Sequence, residues 1–280
     1  MTATSSLSVV VPVYNAADEL AKCLESLHAT LAAGTRVIII DDASPDTAVN
    51  GLLSRWKQRA VDGWSFERNT SNLGFVGTAN RGMRLAPGDV VLLNSDTVTT
   101  PGWLQGLQRC LDSDERMGTA TPWTNNGEIV SIPSFCAPNP VPENPAAVAR
   151  VIAGAGEAVY PSIPTAVGFC MAISRRAINQ VGLFDEALFG KGYGEENDFS
   201  MRISQAGMRN VLCDDVYVVH LGGCSFGPLG LKPDESSMQR LLSRHPAYLE
   251  IVQEFIRQDP LSVRRQEIVA ALEREGVRLG

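Results

Sequence analysis

The run "LSVVVPVYN" beginning at Leu7 constrains the fold more than any other feature. It is continuously apolar and largely β-branched from Leu7 to Val13, then stops on Tyr14 and Asn15. A strand without polar alternation is buried on both faces, the situation of a parallel sheet covered by helices on either side. "DELAKCLESLHATL" follows, with Leu20, Leu24, Leu27 and Leu31 at helical spacing and Glu19 in the first turn, and Gly34 closes the helix. "RVIIIDDASPD" is a second buried strand, ending on paired carboxylates and a Ser-Pro-Asp turn. Strand, helix, strand is the parallel crossover unit, and it predicts an open, mostly parallel α/β sheet.

The alternation continues. A helix is expected over Thr78–Leu85, then a strand in "DVVLLNSDTVTTPGW", which enters Asn94-Ser95-Asp96 and a Pro-Gly turn. Trp103, Leu104, Leu107 and Leu111 resume helical spacing, with Trp103 read as core, and "GTATPW" from Gly118 is a further strand. Pro133, Pro138, Pro140, Pro142 and Pro145 then crowd one interval, read as a long excursion on the active face before "TAVGFCMAIS" restores the core. A helix from Arg176, a helix in "YGEENDFSMRISQAG" and one last strand, "NVLCDDVYVVHLGG", ending on His220, complete the body. The remainder is helical, with Tyr248, Ile251, Val252, Phe255 and Ile256 forming a stripe. The expected division is a domain over 1–228 and a C-terminal helical extension over 229–280, which packs on the body or joins two copies into a homo-oligomer.

Composition narrows the function classes. A net charge of −7 argues against a nucleic-acid groove or a basic membrane-binding face. The N-terminal segment lacks a basic start and a long enough apolar run for a signal peptide, and no stretch reads as a transmembrane span. The expectation is a cytoplasmic chain, with the inner face of the membrane as the alternative location. Six cysteines without a CxxC pair do not form a zinc or redox motif.

Polar clusters at strand ends carry the chemistry, because open α/β sheets bind ligands there. They are Asp41 with Asp42, Asp96, the group Glu195, Glu196 and Asp198, and His220. Asn94-Ser95-Asp96 reads equally well as a turn cap, since all three side chains bond their own backbone. Carboxylates with an imidazole can also hold a divalent cation, and the cation can neutralise phosphate oxygens. Crowding of Glu195 and Glu196 raises a carboxyl pKa toward the range useful to a general base. Strand alternation turns Asp41 away from the side on which Asp42 stands. Asp198 and Arg202 are spaced for an intrahelical ion pair or for an acceptor contact. Tyr193, between glycines, is the candidate acceptor platform, and His28 and His245 are read as surface residues.

The ordered set "VVVPVYN", "IIIDDASPD", "NLGFVGTANRG", "LLNSDTVTTPGW", "VGLFDEALFGKGYGEENDFSMRISQAG" and "VVHLGG" resembles the family 2 glycosyltransferases, inverting enzymes of the GT-A fold. The resemblance runs from Ser8 to Phe226. It implies that Pro12, Tyr14 and Asn15 lie beside the base and ribose of a nucleotide and that Asp42 reads the base. Asn72, Gly74 and Asn80 would line the same site. Asn94 and Ser95 would lead into Asp96 in place of a DxD motif, with Asp96 and His220 ligating Mn²⁺ or Mg²⁺. Glu196 falls where the family keeps its catalytic base, although Glu replaces the usual Asp, which leaves Glu195 and Glu196 both open. The implied activity is transfer from a nucleoside-diphosphate sugar, UDP or dTDP, to a glycan or lipid-linked glycan in polysaccharide assembly. Two alternatives stand beside it. A sugar-nucleotide nucleotidyltransferase would carry a Gly-rich basic loop where this chain has "YNAADEL", and a catalytically silent carbohydrate-binding protein would have no need of Asp96, Glu196 and His220 together.

Overall fold

Parallel pairing of the two buried runs sets the architecture. In the computed structural model, which describes residues 7–222 and 235–279, β1 (Ser8–Val13) lies against β2 (Val37–Asp41), with Val9 opposite Val37 and Val13 opposite Asp41. The crossover is α1 (Ala17–Thr30), which buries Leu20, Leu24 and Leu27. The helix stops at Thr30, so Leu31 lies in extended chain before the left-handed Gly34.

Two elements beyond the sequence reading follow. α2 (Thr47–Gln58) is capped by Asp46, whose carboxylate accepts from the Ala48 amide, and β3 (Trp64–Arg68) adds a parallel edge strand beside β2. Only partly buried, β3 lacks the solid apolar run of its neighbours. α3 (Gly74–Leu85) begins before the expected Thr78. Its earlier start has a cause outside the helix: the Asp42 carboxylate accepts from the amides of Leu73 and Gly74 and satisfies donors a helix N-terminus leaves open.

The chain continues through β4 (Val90–Leu93), β5 (Thr97–Val98), α4 (Trp103–Asp112) and β6 (Met117–Trp123). Trp103, Leu104, Leu107 and Leu111 are all buried, as their spacing requires. After a 3₁₀ turn at Glu128–Val130, the proline interval contains α5 (Pro145–Gly154), opened by Pro145 and capped by Asn144. β7 (Cys170–Ile173), α6 (Arg175–Val181), α7 (Glu186–Phe189), α8 (Glu195–Gln205) and β8 (Arg209–Tyr217) follow. The expected single last strand is broken after Tyr217: β9 (Val219–His220) leaves the main sheet and pairs antiparallel with β5. Helices α9 (Glu235–Arg244), α10 (Tyr248–Gln258) and α11 (Ser262–Arg274) close the chain.

The main sheet has seven strands in the order β3-β2-β1-β4-β7-β6-β8, with β7 antiparallel to both neighbours. Strand order reverses direction between β1 and β4, the place where open α/β sheets form a crevice at their carboxyl ends. Alternate residues feed two cores. Val9, Val11 and Ile39 join α1, α2 and α4 on one face, whereas Val10, Ile38 and Ile40 meet α3 and α8 on the other. Among the described cysteines, Cys23, Cys110, Cys170 and Cys213 are buried free thiols and Cys136 is an exposed one.

The tail straddles this sheet. Leu241 of α9 and Tyr248 of α10 join the α3–α8 face, whereas Ile268, Ala271 and Leu272 of α11 join the opposite one beside α5. α5 therefore belongs to the packed body rather than to an active-face excursion. Of the apolar stripe, Tyr248 is buried and Val252 and Phe255 are partly covered, but Ile251 and Ile256 are about two-fifths exposed. The 228/229 boundary lies outside the described residues. Among those described, no helix is long and apolar enough to cross a membrane.

One buried ion pair fastens α11 to β8. Asp214, fully buried, accepts from the amides of Val159 and Tyr160 and from Arg264 Nε at 2.8 Å. Removing Asp214 leaves the buried Arg264 with only Ala155 O and, at 3.6 Å, the exposed Glu267 carboxylate, and breaking a buried pair in this way costs about 3–5 kcal/mol. Asp214→Ala is expected to lower the free energy of urea unfolding by that amount, and a loss below about 1 kcal/mol, the range of exposed ion pairs, would show that the tail is held by apolar packing alone.

Candidate active site

Three strand ends are stitched together at the crevice. The Asp42 amide donates to Val13 O at 2.8 Å and the Asn69 amide to Asp41 O at 2.8 Å, so β1, β2 and β3 release their chains side by side. Asn15 and Ala16 leave β1 in the left-handed region, which Asn tolerates but which is unusual for Ala. The Asn15 amide donates to Ser44 Oγ at 3.0 Å, while its side-chain Oδ1 is buried without a partner. Pro12, Tyr14 and Asn72 are partly exposed around this mouth.

Both carboxylates after β2 have protein partners. Asp41 accepts from the Ser44 amide and pairs with Arg68. Asp42, equally buried, accepts from Asn69 Nδ2 at 2.7 Å and from the amides of Leu73 and Gly74. The strand alternation that separates them directs each to a different loop, and neither carboxylate lacks a partner. Gly74 has a second constraint: a Cβ there would stand 2.5 Å from Lys191 Cα, at a φ of +75°. This close approach, with the Phe75 amide donating to Lys191 O at 3.0 Å, brings the loop before α8 against the start of α3. Asn80 lies deeper than a lining residue should. Its Nδ2 donates to Phe184 O and Glu186 Oε1 and its Oδ1 accepts from the Phe184 amide, so it ties α3 to the chain before α7.

The turn after β4 faces β9. Asn94 donates its amide to Phe169 O at 2.9 Å, and Ser95 and Asp96 are buried beneath it. Pairing of Thr97 with His220, together with the Leu221 amide donating to Asp96 O, sets Asp96 Oδ1 at 3.6 Å from His220 Nε2. His220 Nδ1 donates to Asn126 O at 2.6 Å, its backbone bonds Asn125 in both directions, and its ring stacks on Phe169. Spending Nδ1–H on a carbonyl fixes the tautomer and presents the Nε2 lone pair, the arrangement of a metal-binding imidazole. Burial opposes the imidazolium, but the Asp96 carboxylate and the Asn126 carbonyl outweigh it, so the metal-free His220 pKa is raised. Asp96 Oδ1 is buried without a hydrogen-bond partner. An orphaned carboxylate oxygen beside an imidazole lone pair suits a divalent cation, with further oxygen ligands from outside the protein, since no third acidic, histidine or cysteine side chain joins them among the described residues.

The acid pair opens α8. Gly190, Gly192, Tyr193 and Gly194 all have positive φ, and the turn they form leaves Glu195 and Glu196 in the first helical turn. Glu195 is buried and Glu196 half-buried, and the Oε2 atom of each lacks a partner. Burial, then the charge of Glu196, pushes the Glu195 carboxyl well above its ordinary range. Burial also raises Glu196, reinforced by the charge of Glu128. Burial first, then both glutamates, raises Tyr193 as well. Asn125 and Asn126 hold His220, while Glu128, left-handed at φ 51°, lies close enough for its charge to act on Glu196, so one short loop serves both halves of the site.

Two sequence expectations are corrected here. Asp198 is fully buried and accepts from Arg202 Nε, Arg244 Nη1 and His245 Nε2, leaving no surface for an acceptor. His245 is a buried partner of that carboxylate rather than a surface residue, while His28 is exposed. Sequence reading also missed Asn125, Asn126, Glu128 and Phe169. The signal for the first three was present in "TPWTNNGE", a strand running into a polar cluster like those noted elsewhere.

Comparison with known proteins identifies the family and the fold. Residues 8–182 match the profile of Glycosyl transferase family 2. A sequence relative is an uncharacterized glycosyltransferase of Escherichia coli K12, YibD, 29% identical over 118 residues, or 41% of this chain and 33% of YibD, so the match spans about a third of that protein. Among solved structures, GalNAc-T7 with UDP, GalNAc and Mn²⁺ superposes with a TM-score of 0.67 at 14% identity, over 99% of this chain and 55% of that one. The mannosyltransferase PcManGT of Pyrobaculum calidifontis, with GDP-Man and Mn²⁺, gives 0.57 at 16% identity over 99% and 77% of the two chains. S. aureus TarS with UDP-GlcNAc gives 0.58 at 18% identity over 95% and 79%. The fold is thus that of GT-A glycosyltransferases, and the chain belongs to glycosyl transferase family 2.

Proposed function

We propose that the chain transfers a sugar from a nucleoside-diphosphate sugar, with UDP or dTDP as the nucleotide, to a hydroxyl of a glycan or lipid-linked glycan, inverting the anomeric centre. The observation that carries this reading is the pair of partnerless carboxylate oxygens, Asp96 Oδ1 beside His220 and Glu196 Oε2 at the start of α8, linked by the loop from Asn125 to Glu128. Pro12, Tyr14, Asn15 and Asn72 form the donor mouth, and Asp42 shapes it by holding Leu73 and Gly74. Solved structures of the same fold bound to UDP, GDP-Man or UDP-GlcNAc support the donor class.

Asp96 and His220 would hold Mn²⁺ or Mg²⁺, which offsets negative charge on a departing diphosphate. Glu196 Oε2 takes the acceptor hydroxyl proton as that oxygen bonds to the anomeric carbon and the bond from that carbon to the diphosphate oxygen breaks. One displacement with a base on the acceptor side and no enzyme nucleophile inverts the centre. Glu196 suits the task better than Glu195 because it is the more accessible of the two. Burial, then the charge of Glu196, raises the Glu195 carboxyl, which disfavours a second charge on the pair. Tyr193 flanks the pair on the acceptor side.

Asp96→Ala is expected to remove the Mn²⁺-dependent part of UDP or dTDP binding in calorimetry, and His220→Ala to weaken it. Equal nucleotide affinity with Mn²⁺ and with EDTA in the wild-type chain would contradict the metal assignment.

Glu196→Gln should lower turnover about 10²- to 10⁴-fold with donor affinity unchanged, and NMR of the product should show an inverted anomeric centre. A larger turnover loss in Glu195→Gln would move the base by one residue, and a retained centre would rule out single displacement.

The base must be ionised to work, so a raised Glu196 pKa places the acid limb of the kcat profile above the ordinary glutamate range. Glu128→Gln removes a negative charge that raises this pKa, so the acid limb should move to lower pH. An unmoved limb would show that Glu128 does not act on the base.

A further inference from the structure

The tail helices reach the catalytic helix at its first turn. Asp198 lies on α8 beyond Glu195 and Glu196, fully buried, and each of its oxygens is assigned. Oδ2 accepts from Arg202 Nε at 2.8 Å, within the same helix. Oδ1 accepts from Arg244 Nη1 at 3.0 Å and from His245 Nε2 at 2.9 Å, both at the end of α9. His245 is itself fixed, because its Nδ1 meets Gln205 Nε2 at 3.2 Å on the last turn of α8. Arg244 also donates from Nη2 to Asp185 Oδ2 at 2.7 Å, and Arg202 bonds Val181 O and Leu183 O, so the chain leading to α7 is drawn into the same knot. Next in the chain, Tyr248 begins α10, buried on the α8 side and close enough to feel the charges of Glu196 and Glu128.

An intrahelical pair would have been enough to satisfy one oxygen of Asp198. The other is spent on side chains from a segment far away in sequence, and the contact with His245 is buried, where a hydrogen bond to a charged group is stronger than at the surface. The loop before Glu195 is rich in left-handed glycines and supplies little stiffness of its own. The rigidity of the α8 start must then come from what grips the helix.

We infer that Arg244 and His245 are positioning residues for the transfer step: through Asp198 they hold the first turn of α8, and with it the Glu196 carboxylate, in the orientation the acceptor needs. The inference rests on Glu196 as the base. It makes the C-terminal helices part of the catalytic unit rather than an appendage. The residues of the donor mouth at the ends of β1, β2 and β4 bond none of Asp198, Arg244 and His245.

The test uses the full chain and two readouts. The first is amide hydrogen exchange over residues 194–202. The second is the hydrolysis of whichever of UDP-glucose, UDP-N-acetylglucosamine and dTDP-glucose the wild-type chain turns over, with nucleoside diphosphate affinity measured by calorimetry. His245→Ala should raise exchange across 194–202 and lower kcat about ten- to a hundredfold, as small misplacements of a reacting group do, with nucleotide affinity within twofold. His245→Gln, whose amide nitrogen can replace Nε2 as donor to Asp198, should recover most of the loss. Arg244→Gln, at an exposed position, should move both readouts in the same direction by less. Wild-type kcat and exchange in His245→Ala would overturn the inference, as would a Gln variant no better than Ala or a nucleotide affinity that falls in step with kcat. If Glu196→Gln keeps full hydrolysis, the base assignment fails, while the exchange data still decide whether the clamp holds α8.

Discussion

The two-residue pairing of β5 with β9 is the contact on which the site depends. It is short, yet it sets Thr97 opposite His220 and so presents Asp96 to an imidazole from a strand more than a hundred residues further along the chain. Nothing in so small a ladder would be stable alone. It survives because Thr100 bonds Tyr217 O, Leu221 bonds Asp96 O, Asn125 clasps the His220 backbone, and Phe169 both stacks on the ring and receives the Asn94 amide. The main sheet therefore acts as a frame that holds a second, minimal sheet across its carboxyl edge.

Saturation of the acidic side chains separates scaffold from chemistry. Asp41, Asp42, Asp198 and Asp214 are buried and each has both oxygens bonded by amides, guanidinium groups or imidazole. Asp96, Glu195 and Glu196 each keep an oxygen that is buried and bonds nothing. A buried acceptor without a donor is unfavourable, so its persistence points to a partner supplied from outside the chain. Residue type does not tell the two groups apart, since Asp occurs in both, and neither does position, since Asp42 and Asp96 both stand just beyond a buried strand.

The sequence made the larger frame readable because burial writes itself as composition: "SVVVPV" and "VIIID" are short, β-branched and bounded by turn signals, which marks interior strands, and the leucine spacing of α1 leaves one helical reading. β3 escaped because a half-exposed edge strand has no such run, and α2 because its short apolar set, Val49, Leu52 and Trp56, is diluted by polar residues. The early start of α3 was invisible since its cap comes from Asp42, on another strand. Asp96, His220 and the acid pair were legible as polar residues at strand and helix ends. Which of them face a ligand was not, because saturation is decided by distant partners. His245 shows the limit plainly: an isolated histidine in a polar helical tail looks like surface, and only tertiary structure places it on Asp198.

Anomalous diffraction at the manganese edge, from crystals grown with UDP and Mn²⁺, would test the central claim most directly. The account predicts one strong peak bonded to Asp96 Oδ1 and His220 Nε2, with diphosphate oxygens completing the ligand shell. A peak elsewhere in the crevice, or UDP bound there with no metal between Asp96 and the diphosphate, would contradict it.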